Sequence, residues 1–299
     1  MRRRSFIKGI VGSAAAWPLM ARAQQTRKLP TIGFLGASTP TTASEWVAAF
    51  VQRLRELGWI EGRTVVIQFR WAEGRSERYN EIAAEFVRLK VDVIATSGTA
   101  AIAAAKRATS SIPIVFAVAG DPVGTGLVAS LAQPGGNVTG LSFMQTDLSA
   151  KRLELLREVI PGLRRLAIFV NVGSAGAVLD MREVEVTAHS LGLDPVTLEI
   201  RQAGDIAAAL ATLKDDTQAL YVVIDPLVSA EKGRINSLAL AARMATMHGS
   251  RELAEAGGLM SYGPNLPDLY RRAADYVDKI LRGRSRAKFL LSSRQNSIW

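Results

Sequence analysis

The chain has 299 residues, with 37 Lys and Arg against 27 Asp and Glu, two histidines and no cysteine. The absence of cysteine excludes disulfides, a lipid anchor at a signal-cleavage cysteine, thiol catalysis and Cys-ligated metal, and His189 and His248 alone argue against a His-rich metal site or His-based catalysis. Five of the ten formal net positive charges are Arg2, Arg3, Arg4, Lys8 and Arg22, so the rest of the chain carries +5, and no basic stripe interleaved with aromatics points to nucleic acid.

The N-terminus has three parts in a fixed order. Arg2, Arg3, Arg4 and Lys8 form a basic block, residues 10–20 an Ala-rich apolar run, and Ala21-Arg22-Ala23 a pair of small residues at alternate positions. That layout predicts an export signal over residues 1–23, cleaved after Ala23. The run is too short to span a bilayer and is interrupted by Pro18, and no later run is long enough. The stretch Arg3-Arg4-Ser5-Phe6-Ile7-Lys8 resembles a twin-arginine signal, with general export as the alternative route.

From residue 31 the chain alternates short apolar runs with amphipathic helices. TIGFLGAS (31–38) reads as a buried strand. Trp46, Val47, Phe50, Leu54 and Leu57 then fall at helical spacing over 44–57, and Gly58 ends that helix. TVVIQFRWAEG, VDVIATSG and IPIVFAVAGDP read as three further strands, separated by helices over 77–89 and TAAIAAAKRAT. NVTGLSFM (137–144) changes the rhythm. The alternation restarts with a helix over 147–159, a strand in LRRLAIFVN, a helix over 175–191, a strand in DPVTLEI, a helix over 204–213 and a strand in QALYVVIDP. GGLMSYGPN (257–265) is strand-like, and PDLYRRAADYVDKILRG is a last amphipathic helix closed by Gly283.

This pattern predicts an α/β fold of two Rossmann-like lobes with parallel sheets. The boundaries expected are 24–142 for lobe 1, 143–261 for lobe 2, 262–283 for a return to lobe 1 and 284–299 for a basic tail. Two crossings make a cleft in which two sets of C-terminal strand ends face each other, the place where open parallel sheets bind ligands.

Several long stretches resemble the periplasmic substrate-binding proteins of ABC transporters with the type I two-lobed architecture, and in particular their tryptophan- and tyrosine-binding relatives. The carrying residues are the N-terminal signal, IGFLG, LRELGWIEGRTVVIQFRWAEG, IPIVFAVAGDPVGTGLVASLAQPGGNVTGLSFM, AKRLELLREVIPG and EAGGLMSYGPNLPDLYRRAADYVDKILRG. Together they cover about residues 1–283. The chain departs from the pattern at ARMATMHG, where Met244, Thr246, Met247 and Gly249 blur an expected apolar strand, and after Gly283, where a shortened, divergent tail replaces a further strand and would leave one lobe's sheet short. The resemblance implies a periplasmic receptor that holds a small organic ligand, an amino acid or aromatic acid, between its lobes and delivers it to an ABC permease in the inner membrane. A monomer without cofactor or metal is expected. The alternatives are a ligand sensor for a signalling receptor and a truncated, non-functional copy.

A small polar ligand in such a cleft needs donors from strand-to-helix turns, where backbone N–H groups are unpaired. Ser97, Gly98 and Thr99 meet that need after the third strand, and Ser38 and Thr39 occupy the same place after the first; a plain helix cap explains either set equally well. Asp121, past the fourth strand, is a candidate partner for an ammonium, or else the cap of a short helix around residues 124–131 or an Asx-turn before Pro122. Asn171 and Asp225 follow two strands of the second lobe, and Tyr262 lies on a crossing. Arg152 and Glu154 read as a solvated helix face. No G-x-S-x-G, paired-histidine motif or P-loop is present, so no enzyme is expected.

Overall fold

The computed structural model describes residues 28–130, 132, 134–143 and 146–283. The export signal and the basic tail expected from the sequence lie outside them. The first lobe opens with β1 (Thr31–Gly36), α1 (Ser44–Glu56), β2 (Val66–Trp71), α2 (Ser76–Leu89), β3 (Val93–Thr96), α3 (Thr99–Ala108), β4 (Ile114–Ala119) and β5 (Val138–Ser142). The second runs through α4 (Ser149–Val159), β6 (Arg165–Asn171), α5 (Ala175–Ser190), β7 (Asp194–Ile200), α6 (Asp205–Ala211), β8 (Ala219–Val222), α7 (Pro226–Ala230), α8 (Lys232–Ala241), β9 (Ala245–His248), α9 (Arg251–Glu255) and β10 (Met260–Ser261). The last helix, α10 (Leu266–Leu281), returns to the first lobe, where it packs on α1, β3 and β4.

Both sheets are parallel, have five strands among the described residues and share one order: β2-β1-β3-β4-β5 and β7-β6-β8-β9-β10. Neither is shorter than the other. Their central strands are almost wholly apolar, as in IVFAVA and LAIFV, because helices cover both faces. One core joins Ile32, Phe34 and Val115 to Phe50 of α1 and to Leu269 and Val277 of α10. Another joins Leu35, Ile94 and Phe116 to α2 and α3 on the opposite face. Two equivalent cores flank the second sheet. The α10 start is fixed by Asn265, whose side chain accepts the Asp268 N–H at 3.0 Å, and by Pro267 in its first turn.

Three local expectations change. NVTGLSFM is an ordinary fifth parallel strand, with Gly140 opposite Phe116 because a Cβ there would stand 2.1 Å from the Phe116 carbonyl oxygen. The strand blurred by Met244 and Thr246 forms as β9: Met247 is buried, and the buried Thr246 hydroxyl accepts the Leu259 N–H at 2.8 Å. Residues 226–241, where the sequence shows no element, form α7 and α8. Their periodicity is hidden because Leu240 faces solvent while Asn236 is buried, its amide donating to the Leu253 carbonyl at 2.7 Å.

Arg152 is not on a solvated face. It is 1% exposed, its Nε donates to the Tyr262 carbonyl at 2.7 Å, and Nη1 donates to the Tyr221 hydroxyl at 2.9 Å. The fully buried Asp180, which accepts from Ser149 Oγ at 2.9 Å, supplies nearby opposite charge. A helix of the second lobe thus grips the segment that leads back to the first. Arg152→Met is expected to lower unfolding free energy in urea by about 3–5 kcal/mol, since it strands the Asp180 charge, and Asp180→Leu added to it is expected to recover part of that loss.

Candidate functional site

In a sheet of order 2-1-3-4-5 the chain leaves in opposite directions on either side of the first and third strands, and the crevice beyond those two strand ends is open. In the first lobe these strands are β1 and β3, and in the second β6 and β8. The turns after them converge on a cavity of about 640 Å³, counted with its open mouth. Ala37 and Ser38 line it after β1, and Ser97, Gly98 and Thr99 after β3. Ser174 and Gly176 line it beyond β6, and Asp225 and Pro226 beyond β8.

The lobes touch around this cavity. Gly98 has φ of +86°, a left-handed conformation that glycine adopts freely, and a Cβ on it would lie 3.0 Å from Pro226 Cγ. A Cβ on Gly176 would lie 2.5 Å from Thr99 Oγ1. The first turn of α3 therefore meets the first turn of α5 across the lobes. Each presents backbone N–H groups without intrahelical acceptors, so one region receives donors and positive helix ends from both sides.

Asp225 brings the opposite charge. It is buried, its Oδ1 accepts the Val228 N–H at 2.8 Å, and its Oδ2 accepts from Asn171 Nδ2 at 2.5 Å. No cation pairs with it among the described residues. Burial pushes its carboxyl up to about 6, against the opposing pull of Val228 and Asn171. Because Pro226 stands against Gly98, this carboxylate and the α3 turn share one end of the cavity. From Ser97 the wall becomes aromatic: the Tyr270 hydroxyl donates to Ser97 Oγ at 2.7 Å, and the Tyr270 ring lies 5.8 Å from that of Trp46. Phe143, Val118 and Leu266 complete an apolar side.

Of the residues singled out in the sequence, Ser38, Ser97, Gly98, Thr99 and Asp225 line the cavity together. Asn171 stands behind Asp225 and orients it, its own Oδ1 accepting the Gly173 N–H at 2.9 Å. Thr39, Asp121 and Tyr262 are not among the lining residues. Thr39 Oγ1 accepts the Thr42 N–H at 3.1 Å and closes the turn into α1. Asp121 Oδ1 accepts the N–H groups of Val123 and Gly124 at 3.1 and 2.8 Å, an Asx-turn that leads into irregular turns rather than a helix. Tyr262 donates its N–H to the His248 carbonyl, and its own carbonyl is held by Arg152. Trp46, Phe143 and Tyr270 line the cavity without having been singled out. Trp46 sits in the first turn of α1 and Tyr270 in the second turn of α10, and both read as members of core stripes.

Among the described residues no group of three or more His, Asp or Glu side chains is placed to hold a metal, and no helix is long and apolar enough to cross a membrane.

Comparison with known proteins places this geometry. The family model "ABC transporter substrate binding protein" matches residues 41–297, past Gly283 into the tail. A tyrosine-binding protein of Clostridioides difficile strain R20291 is 27% identical over 237 residues, 79% of this chain and 68% of that protein. A conserved domain protein of Vibrio cholerae, solved by crystallography, superposes with a TM-score of 0.84 at 26% identity over 88% of each chain. An ABC domain from Streptococcus pneumoniae solved in complex with L-Trp superposes with a TM-score of 0.81 at 22% identity, again over 88% of each chain. Neighbours such as the leucine-binding protein of Thermotoga maritima share the type I periplasmic-binding architecture.

Two buried titratable groups set opposing pH responses. His248 ends β9, and neither ring nitrogen has a hydrogen-bond partner among the described residues; burial pushes its imidazole down to about 4. Between its unfolded value near 6.5 and that value the unfolded chain binds the extra proton, so acidification through this window favours unfolding. Asp225 is the reverse. Its folded value of about 6 lies above the unfolded one near 4, so the folded state takes up the proton first and gains stability as pH falls. In thermal melts of the ligand-free protein from pH 6.5 to 5, the wild-type midpoint is expected to fall by about 2 °C and that of Asp225→Asn, which lacks the compensating carboxylate, by about 5 °C.

Proposed function

The chain belongs to the ABC transporter substrate-binding protein family, and from that premise we propose that it is the solute receptor of an ABC importer whose ligand is an amino acid with an aromatic or other large apolar side chain. The observation that carries this reading is the buried, cation-free carboxylate of Asp225 at the same end of the cavity as the α3 and α5 turns. A zwitterion answers both features: its ammonium pairs with Asp225, and its carboxylate takes the N–H groups and the Thr99 hydroxyl. The wall formed by Tyr270, Trp46 and Phe143 suits an apolar side chain. That the relatives include a tyrosine-binding protein and a domain solved with L-Trp supports this ligand class.

The role follows from the two-lobed geometry. A ligand held by both lobes favours the closed arrangement over the open one by its contacts with the second lobe, and the closed arrangement is what a membrane permease reads. The receptor acts as a monomer in this scheme. Export to the periplasm is supported by the Arg3-Arg4 block and the Ala-rich run that follows it. The family is one of solute binding rather than catalysis.

In thermal melts, L-tyrosine or L-tryptophan at a hundred times its dissociation constant is expected to add about 2.7 kcal/mol and raise the midpoint by roughly 5–10 °C. Calorimetry is expected to show Asp225→Asn binding weaker by about 2–5 kcal/mol, and wild-type affinity falling as pH drops below about 6, where the carboxylate is neutralised. A wild type that binds neither amino acid, or an Asp225→Asn variant of unchanged affinity, overturns the reading.

A further inference from the structure

Trp46 and Glu252 form a contact that the cavity wall alone does not explain. Trp46 lies in the first turn of α1, is buried, and forms part of the wall on the first lobe's side. Its ring packs on Tyr270, and its Nε1 donates to Glu252 Oε1 at 2.9 Å. Glu252 belongs to α9 in the second lobe, 206 residues further along the chain. It does not line the ligand cavity. It lies on the far side of the indole, in a separate polar groove with Glu45, Arg251 and Asn265.

We infer that Glu252 is a positioning residue for the ligand: it fixes the Trp46 ring, and so the apolar end of the cavity, only when the lobes are closed. The inference rests on the amino-acid reading above and concerns the choice of side chain rather than the zwitterionic end. Tyr270 meets one side of the indole, and a hydrogen bond to a charged acceptor at its far edge removes the remaining freedom to swing. Three further approaches between the lobes are of a different kind. Gly74 lies against Leu227, Gly98 against Pro226 and Gly176 against Thr99, close approaches that allow the lobes to meet without fixing an aromatic ring. Closure also has a cost here, because Glu252 Oε2 is buried with no partner among the described residues. One carboxylate oxygen is thus drawn out of water while the residue as a whole stays half-buried in the groove, an arrangement that gains most when a ligand lies against the ring.

The geometry separates this role from a general part in closure. A ligand that reaches Trp46 depends on the strut, and one that fills only the polar end does not. The test is calorimetry on the full chain with L-tyrosine and L-alanine as probes, in wild type, Glu252→Ala, Glu252→Gln and Trp46→Phe. Glu252→Ala is expected to weaken L-tyrosine about tenfold and leave L-alanine within about twofold. Glu252→Gln keeps an acceptor oxygen and is expected to retain most of the L-tyrosine affinity. Trp46→Phe keeps a ring without the donor and is expected to match Glu252→Ala, so it carries the test should that variant fail to fold. Equal weakening of both probes, or of neither, in Glu252→Ala and Trp46→Phe overturns the inference and leaves the amino-acid reading standing. A wild type that binds neither L-tyrosine nor L-tryptophan overturns both.

Discussion

The cavity exists because two backbone surfaces are bare enough to touch. Where Gly98 meets Pro226 and Gly176 meets Thr99, a single methyl group would sit 3.0 and 2.5 Å from the opposite lobe. Those distances are below ordinary contact, so a side chain at either position would hold the lobes apart. The consequences are electrostatic as much as steric. With glycine there, the α3 and α5 helix ends approach one region from opposite sides, and their unpaired N–H groups act together. With a larger residue, each helix end would face water and the cooperation between the lobes would be lost.

The same constraint explains why the site sits where it does. Both sheets have the order that opens a crevice at the ends of their first and third strands, and the lobes are brought together at those crevices. The remaining elements keep that arrangement in register. α10 returns from the second lobe to complete a core of the first, and its outer face is tied to α1 by Arg271–Glu56 and Arg53–Asp275 pairs at 2.6 and 2.8 Å. These pairs are partly exposed and orient the helix more than they stabilise it. The apolar contacts of Leu269, Ala273 and Val277 carry the docking.

Most of the architecture was legible in the sequence because buried parallel strands and amphipathic helices write themselves as apolar runs and 3.6-residue stripes. The site was legible only in part, and the two aspartates show why. AVAGDP and YVVIDP carry the same signal, an apolar strand followed by Asp-Pro. Asp225 follows β8, which flanks the crevice of its sheet; Asp121 follows β4, one strand further out, and closes its own turn. Which strand flanks a crevice is a property of strand order, and strand order is absent from local pattern. Trp46 and Tyr270 fail to stand out for a related reason. Near the start of a helix one face looks both into the core and over the cleft, so a cavity wall and a core stripe have the same spacing. ARMATMHG shows the converse: pairing of β9 between β8 and β10 makes a strand of a segment whose local pattern is weak.

Arg152 and Asp225 are both buried charges, and the structure treats them in opposite ways. Arg152 is met from several directions inside the protein, by the Tyr262 carbonyl, the Tyr221 hydroxyl and the field of Asp180. A charge met from several directions is held in one arrangement, which suits a residue that anchors the segment joining the lobes. Asp225 receives two donors, neither of them a cation, and its carboxyl is driven upward by burial. Its desolvation is imposed by the protein itself, and no protein cation offsets it among the described residues. On the proposed reading, a ligand ammonium would supply that offset without repeating the cost of drying the carboxylate, whereas a neutral analogue of the same shape would leave the charge uncompensated. Discrimination by such a site would be steep, because a ligand without a cation would leave the buried carboxylate without a counter-charge. On that reading, the asymmetry between the two residues separates the part of the molecule that stays fixed from the part that a ligand would complete.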